Sequence, residues 1–265
     1  MPNFKKIFEF NTIIRPNMNT IMAGIHCPKT VSESLGPWVN TYADTQALDK
    51  KLSDHYKHSD QDIKYADNPK LALGRYSHTS AHLNSWLWDR HHDAVGTRNQ
   101  SSKASTDQLD RAISANKTPH EMMVYSGVKG DPRKRMNSEG IVHHPAYLST
   151  SIMKIVAETF AHEHREESDE INGKSQYHKH VMHIHLPEGH DSAYINHIVP
   201  EHDHEHEMLL PRGMNLKHNE TISEISEKPY TTYHTHHHFM SVAQETPKMH
   251  TGFHDEKGAP EDENI

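Results

Sequence analysis

The apolar residues of this chain change their spacing partway along it, and that change restricts the fold to one built from both helices and sheet. Beyond Val31, Leu35, Trp38, Val39 and Tyr42, then Leu48, Leu52 and Tyr56, fall near the three-and-four spacing of an amphipathic stripe. Asn68-Pro69 interrupts it, and residues 71–88 read as another helical region. Residues 106–115 follow as a short helix, with Thr106 as N-cap and Leu109 and Ile113 on one face. Beyond residue 121 the texture is different. Short apolar runs at 122–125, 146–151, 180–186, 208–210 and 214–225 read as strands, the last two separated by the turn Pro211-Arg212-Gly213. Between them, Ile155, Val156, Thr159 and Phe160 mark a helix. No regular strand-helix-strand alternation is present, so the expected class is α+β.

The stretch 96–106, rich in Ser, Asn and Thr, reads as a linker and sets a boundary near residue 95. The expected organisation is an arm over 1–30, a helical region over 31–95, a main domain over 96–243 and a disordered acidic tail over 244–265. Only 33% of residues are hydrophobic, yet three Trp, ten Tyr and six Phe in separate runs suffice to build a core. A formal charge of −8 argues against a general grip on nucleic acid, whose phosphates call for clustered Lys and Arg. Residues 1–30 lack the apolar core of a signal peptide, and no run reaches the roughly 18 apolar residues of a membrane span, so a soluble, unsecreted chain without a membrane partner is expected. Cys27, the single cysteine, excludes an internal disulfide framework.

Neither a Gly-rich dinucleotide fingerprint nor a P-loop is present. Three other segments carry chemistry, in this order: Val124-Tyr125-Ser126-Gly127-Val128, Tyr147-Leu148-Ser149-Thr150-Ser151, and Glu205-His206-Glu207 running into Met208-Leu209-Leu210-Pro211-Arg212-Gly213. Each triplet alone is common, but their order and spacing form a long pattern. Over roughly residues 105–240 it resembles the mono-ADP-ribosyltransferases of the Arg–Ser–Glu class, in particular phage and toxin-like members with an ExE motif. The resemblance implies a split mixed β-sheet in a catalytic domain over 96–243, NAD as co-substrate without a metal, and a target protein modified on arginine. Its phage members imply action in a host bacterial cytoplasm, with carriage in the virion as an option.

Cleavage of the nicotinamide–ribose bond builds positive charge on the ribose, so a carboxylate held at that sugar stabilises the transition state more than the ground state. By resemblance Glu207 fills this role, and Glu205 orients the incoming guanidinium and helps remove its proton. In a strand, residues two apart share a face, so both carboxylates can enter one cleft. Ser149 is expected to orient Glu207, with Thr150 structural. Ser126 and Gly127 are the cofactor-binding residues of the first motif, with Gly127 letting backbone approach the nicotinamide amide. The family usually carries Arg at the position of Ser126. Serine donates one hydrogen bond and no charge, so phosphate affinity is expected to fall unless Lys129, Arg133, Lys134 or Arg135 supplies a cation.

The 28 histidines raise a rival reading. His162/His164, His183/His185, His202-Asp203-His204 and the run His234, His236 to His238 offer metal-ligand spacings without forming a zinc signature. The alternatives are therefore a His-rich metal-binding protein, a catalytically impaired NAD-binding relative, and an NAD glycohydrolase. The expectation is no metal ligand set, with His206 pointing away from the two glutamates that flank it.

Overall fold

The computed structural model describes residues 42–56, 69–91, 99–196, 198 and 204–243. The expected arm over 1–30, the stripe residues Leu35, Trp38 and Val39, the boundary at residue 95, the pair His202-Asp203 and the tail over 244–265 lie outside them.

Three helices come first: α1 (Tyr42–His55), α2 (Pro69–His91) and α3 (Asn99–Ser114). They are followed by β1 (Met122–Val128), a short 3₁₀ turn (Pro132–Arg135), β2 (Ile141–His144), β3 (Leu148–Ser151) and α4 (Lys154–Glu163). The chain then runs through β4 (Glu166–Ile171), β5 (Lys174–Leu186), β6 (Ala193–Tyr194), β7 (Glu207–Leu210), β8 (Met214–Glu227) and β9 (Thr231–Val242). The described strands form one mixed sheet in the order β2-β8-β9-β5-β1-β3-β7-β6, with β4 on β5. The β5–β9 pair is parallel and the other pairs are antiparallel. The sheet is split because β1 and β3 share a single paired position, Tyr125 with Ser151, before they diverge.

Both faces of the central strands are covered, so their residues are buried without alternation. Along β7, Met208 and Leu210 enter a core with Leu52 and Tyr56 of α1, while Leu209 enters another with Leu73, Tyr76, Leu83 and Leu87 of α2 and Leu109 and Ile113 of α3. Each such buried side chain contributes about 1.5–3 kcal/mol. The same packing corrects three expectations. Residues 99–106 are helix rather than linker, because the apolar stripe of α3 is buried against α2 and outweighs the weak helix propensity of its Ser and Asn. Thr106 is fully buried inside that helix, with its hydroxyl donating to the Lys103 carbonyl at 2.7 Å, and is not an N-cap. The described helices also share cores with the strands instead of forming a unit of their own, and 35–265 is one compact unit. Finally β5, expected to be half-buried, is covered on both sides, with Val181 under α4 and Met182 and Ile184 in the opposite core.

Candidate active site

Where β1 and β3 diverge, a cleft of about 340 Å3 opens between them, α2 and α4. It is lined by Ser126 and Gly127 of β1, by Ser149, Thr150 and Ser151 of β3, and by Glu205 and Glu207. All three sequence motifs therefore meet at one place, from positions 80 residues apart in the chain. That volume lies within the range of small-molecule sites.

The glutamates reach the cleft by a route the strand pattern did not predict. Glu207 is the first residue of β7, opposite Ser151 of β3, and is only 8% exposed. Glu205 precedes the strand, and between them His206 adopts φ of 47°, a left-handed conformation that costs a non-glycine residue on the order of 1–3 kcal/mol. Its surroundings hold it there. The Ser151 hydroxyl donates to the Glu205 carbonyl at 2.6 Å, and the Ile152 amide donates to the His206 carbonyl at 3.2 Å. The His206 ring turns away from the cleft, as expected, with Nδ1 3.4 Å from Asp49 Oδ1 and 3.3 Å from the Tyr194 hydroxyl. Both carboxylates thus face the cleft through a kink, not through the two-residue period of a strand.

Ser149 Oγ lies 3.3 Å from the Tyr76 hydroxyl, which accepts from Asn84 Nδ2 at 3.0 Å. Burial, with the negative charge of nearby Glu207 adding to it, raises the Tyr76 hydroxyl far above its ordinary value. Tyr76 is therefore a protonated group at the cleft floor. Thr150 donates to the Met208 carbonyl at 2.6 Å, the structural part expected of it. Sequence patterns missed Tyr76, Ser77 and Ser80 of α2, which come from outside the motifs, and also Phe160 and His164 at the end of α4.

Gly127 has a reason of its own. A Cβ there would stand 2.2 Å from the Ala157 carbonyl oxygen and 2.4 Å from the Ala161 nitrogen, so α4 can seat on β1 only at a glycine. None of the four basic residues suggested as substitutes for the usual Arg lines the cleft. Arg133 grips Asp131 at 2.7 Å, Lys134 is 3.8 Å from Glu166, and the Arg135 guanidinium lies 4.7 Å over the Trp88 ring. Arg212 of the turn after β7 pairs with Asp110 of α3 at 2.8 Å, and Tyr147 donates to the same carboxylate at 2.6 Å, which ties the third motif to the helices.

A sequence model described as ADP-ribosyltransferase exoenzyme matches residues 44–238, well over half of the chain. No curated protein sequence matches. Among solved structures, Plx2a, an ADP-ribosyltransferase toxin from Paenibacillus larvae, aligns with a TM-score of 0.52 at 15% identity, over 76% of this chain and 96% of that one. The enzymatic component C2-I of the C2-toxin from Clostridium botulinum aligns with a TM-score of 0.55 at 16% identity, over 75% of this chain and 47% of that one. The ADP-ribosylating toxin BECa of a C. perfringens binary enterotoxin, solved with NADH, gives 0.52 at 13% identity, over 74% and 48%. At these identities the structures establish a shared fold.

Proposed function

The chain belongs to the ADP-ribosyltransferase exoenzyme family, and from that membership we propose that it cleaves NAD in the β1–β3 cleft, releases nicotinamide and passes ADP-ribose to an arginine of a target protein. The observation that carries this reading is the meeting of Ser126-Gly127, Ser149 and the Glu205/Glu207 pair on one cleft.

The roles follow from position. Nicotinamide leaves with the electron pair of the broken C–N bond, and positive charge develops on the ribose. Glu207, nearly buried, sits in a low-dielectric site where an ionised carboxylate counters that charge more strongly than it would in water. Glu205, nearer the cleft mouth at the end of the kink, orients the guanidinium of the acceptor and takes the proton that its nitrogen loses on bonding to the ribose. Ser149 and Tyr76 act as positioning residues for Glu207. Gly127 leaves room at the nicotinamide end, and the Phe160 and Tyr125 rings supply flat apolar walls. The ExE pair supports transfer over simple hydrolysis, since water as acceptor has no need of Glu205. We place the acceptor in a bacterial cytoplasm, in line with the phage-like motif pattern.

The test is incubation of the purified protein with NAD labelled in its ADP-ribose part and a bacterial lysate, beside Glu207→Gln. Nicotinamide release and label on protein should both fall on the order of 10²–10³-fold in the variant. Release without protein label would replace the transferase with a glycohydrolase. Neither signal from the wild type would leave a non-catalytic relative.

A further inference from the structure

Away from the cleft, the outer parts of β5 and β9 carry five imidazoles on one sheet face. His178 and His180 of β5 interleave with His234, His236 and His238 of β9. Neighbouring rings lie nearly parallel, with centroids 4.7 Å apart for His178/His234 and 4.9 Å for His180/His236. Parallel pairing sets this arrangement, because His178 registers with His234 and His180 with His236, so same-face residues stack across the strands. Most of the ladder is satisfied within itself or by Gln176, Ser168 and Ser223.

The inner end differs. His180 and His238 are 4% and 0% exposed, and a carboxylate from another segment, Asp131 in the loop after β1, reaches them. One ligand atom from each of the three lies within 4.8 Å of the others. His180 Nδ1 and His238 Nε2 are 3.0 Å apart. Two nitrogens on a tetrahedral ion with bonds of about 2.0–2.1 Å stand about 3.3 Å apart, so the rings need open by only a few tenths of an ångström. Their remaining nitrogens are held from outside. His238 Nδ1 is 3.0 Å from Thr221 Oγ1, and His180 Nε2 is 4.0 Å from Glu166 Oε2. An oxygen partner on the far nitrogen is the arrangement that fixes the tautomer and orientation of metal-binding histidines.

We propose that Asp131, His180 and His238 form a binding site for a divalent first-row transition ion of the zinc class, with a fourth position open to water. Two imidazoles and one carboxylate suit zinc and its neighbours and not calcium or magnesium, which take oxygen donors. Burial holds both imidazoles in the neutral form that ligates, and lowers His238 to about 3. The other charged groups around the site are Arg133, which chelates Asp131 through Nε at 3.0 Å and Nη2 at 2.7 Å, and Glu166. Arg133 occupies the carboxylate that the ion needs, yet its side chain is 41% exposed and can swing into water. Metal and Arg133 therefore compete for Asp131, which gives this site a signature that surface histidines lack.

The experiment is titration of tag-free, chelator-treated full-length protein with Co²⁺, followed by visible absorption and by competition with Zn²⁺. A single saturable equivalent with the intense absorption of four-coordinate cobalt is expected. Asp131→Asn should weaken it roughly 10–100-fold, His180→Asn should remove it, and Arg133→Ala should tighten it. Glu207→Gln should leave it unchanged, which separates this site from the cleft. Should His180→Asn fail to fold, the opposite shifts in Asp131→Asn and Arg133→Ala still decide. Equal binding by wild type, Asp131→Asn and Arg133→Ala, or absorption that never saturates, would overturn the site and assign the uptake to scattered histidines.

Discussion

The Ser126 hydroxyl donates to the Ser149 carbonyl oxygen at 2.9 Å, joining the first motif to the second across the gap where β1 and β3 part. A side chain takes over here where the strand ladder has ended. Ser126 therefore does structural work at the position where the family usually places a cation, and that work is compatible with an open cleft beside it.

Replacing it tests both parts. In Ser126→Arg the hydrogen bond to Ser149 is lost, costing about 1 kcal/mol of stability, while a guanidinium enters the cleft. Charge-assisted hydrogen bonds to the diphosphate are worth about 1.5–3 kcal/mol, so KM for NAD should fall by roughly tenfold or more. Nicotinamide release at varied NAD concentration measures it, and an unchanged KM would mean that the diphosphate does not pass Ser126.

Gly127→Ala should be costly for a reason unrelated to substrate. Its Cβ meets backbone atoms of α4, which cannot rotate aside as a flexible side chain would. The helix must lift from β1, opening the small core of Tyr125, Ala157, Ala161 and Val181. The expected loss is about 1–3 kcal/mol, read as a lower urea midpoint. A variant as stable as wild type would show that α4 rides more loosely than this contact implies.

Acid should destabilise the metal-free protein. Burial lowers His144 to about 4 and His183 to about 3, from an ordinary 6.5, so the folded state keeps them neutral. Below 6.5 the unfolded chain binds protons that the folded one refuses, so their stability contribution is full above 6.5 and is lost as pH falls toward the folded values. At pH 5 the loss is on the order of 1–2 kcal/mol for each buried imidazole. Urea midpoints at pH 7.5 and 5 measure it. Equal midpoints would show that these rings are protonated in the fold.

Local pattern and tertiary context divided the information unevenly. The third motif was legible as a segment, yet the kink at His206 was not, since nothing in Glu205-His206-Glu207 asks for a left-handed residue. Contacts with Asp49, Tyr194, Ser151 and Ile152 impose it. Strand β9 was hidden altogether, because its inward positions are histidines satisfied by one another and by Thr221 and Ser223, not the apolar residues whose alternation marks a strand. Tyr76 resembled any other core aromatic on a helix stripe, and only the docking of α2 beside β3 brings its hydroxyl to Ser149.

What the sequence determined by itself was the α+β class, most of the described helices and strands, and the order of three motifs that meet in one cleft. These depend on spacings of a few residues, which side-chain periodicity records directly. The tertiary structure alone decided the parallel pairing of β5 with β9, the histidine ladder that this pairing creates, the convergence of Asp131 on it, and the share of α2 in the active site. Each of those brings together groups separated by tens of residues, and such a contact leaves no local period in the chain that makes it.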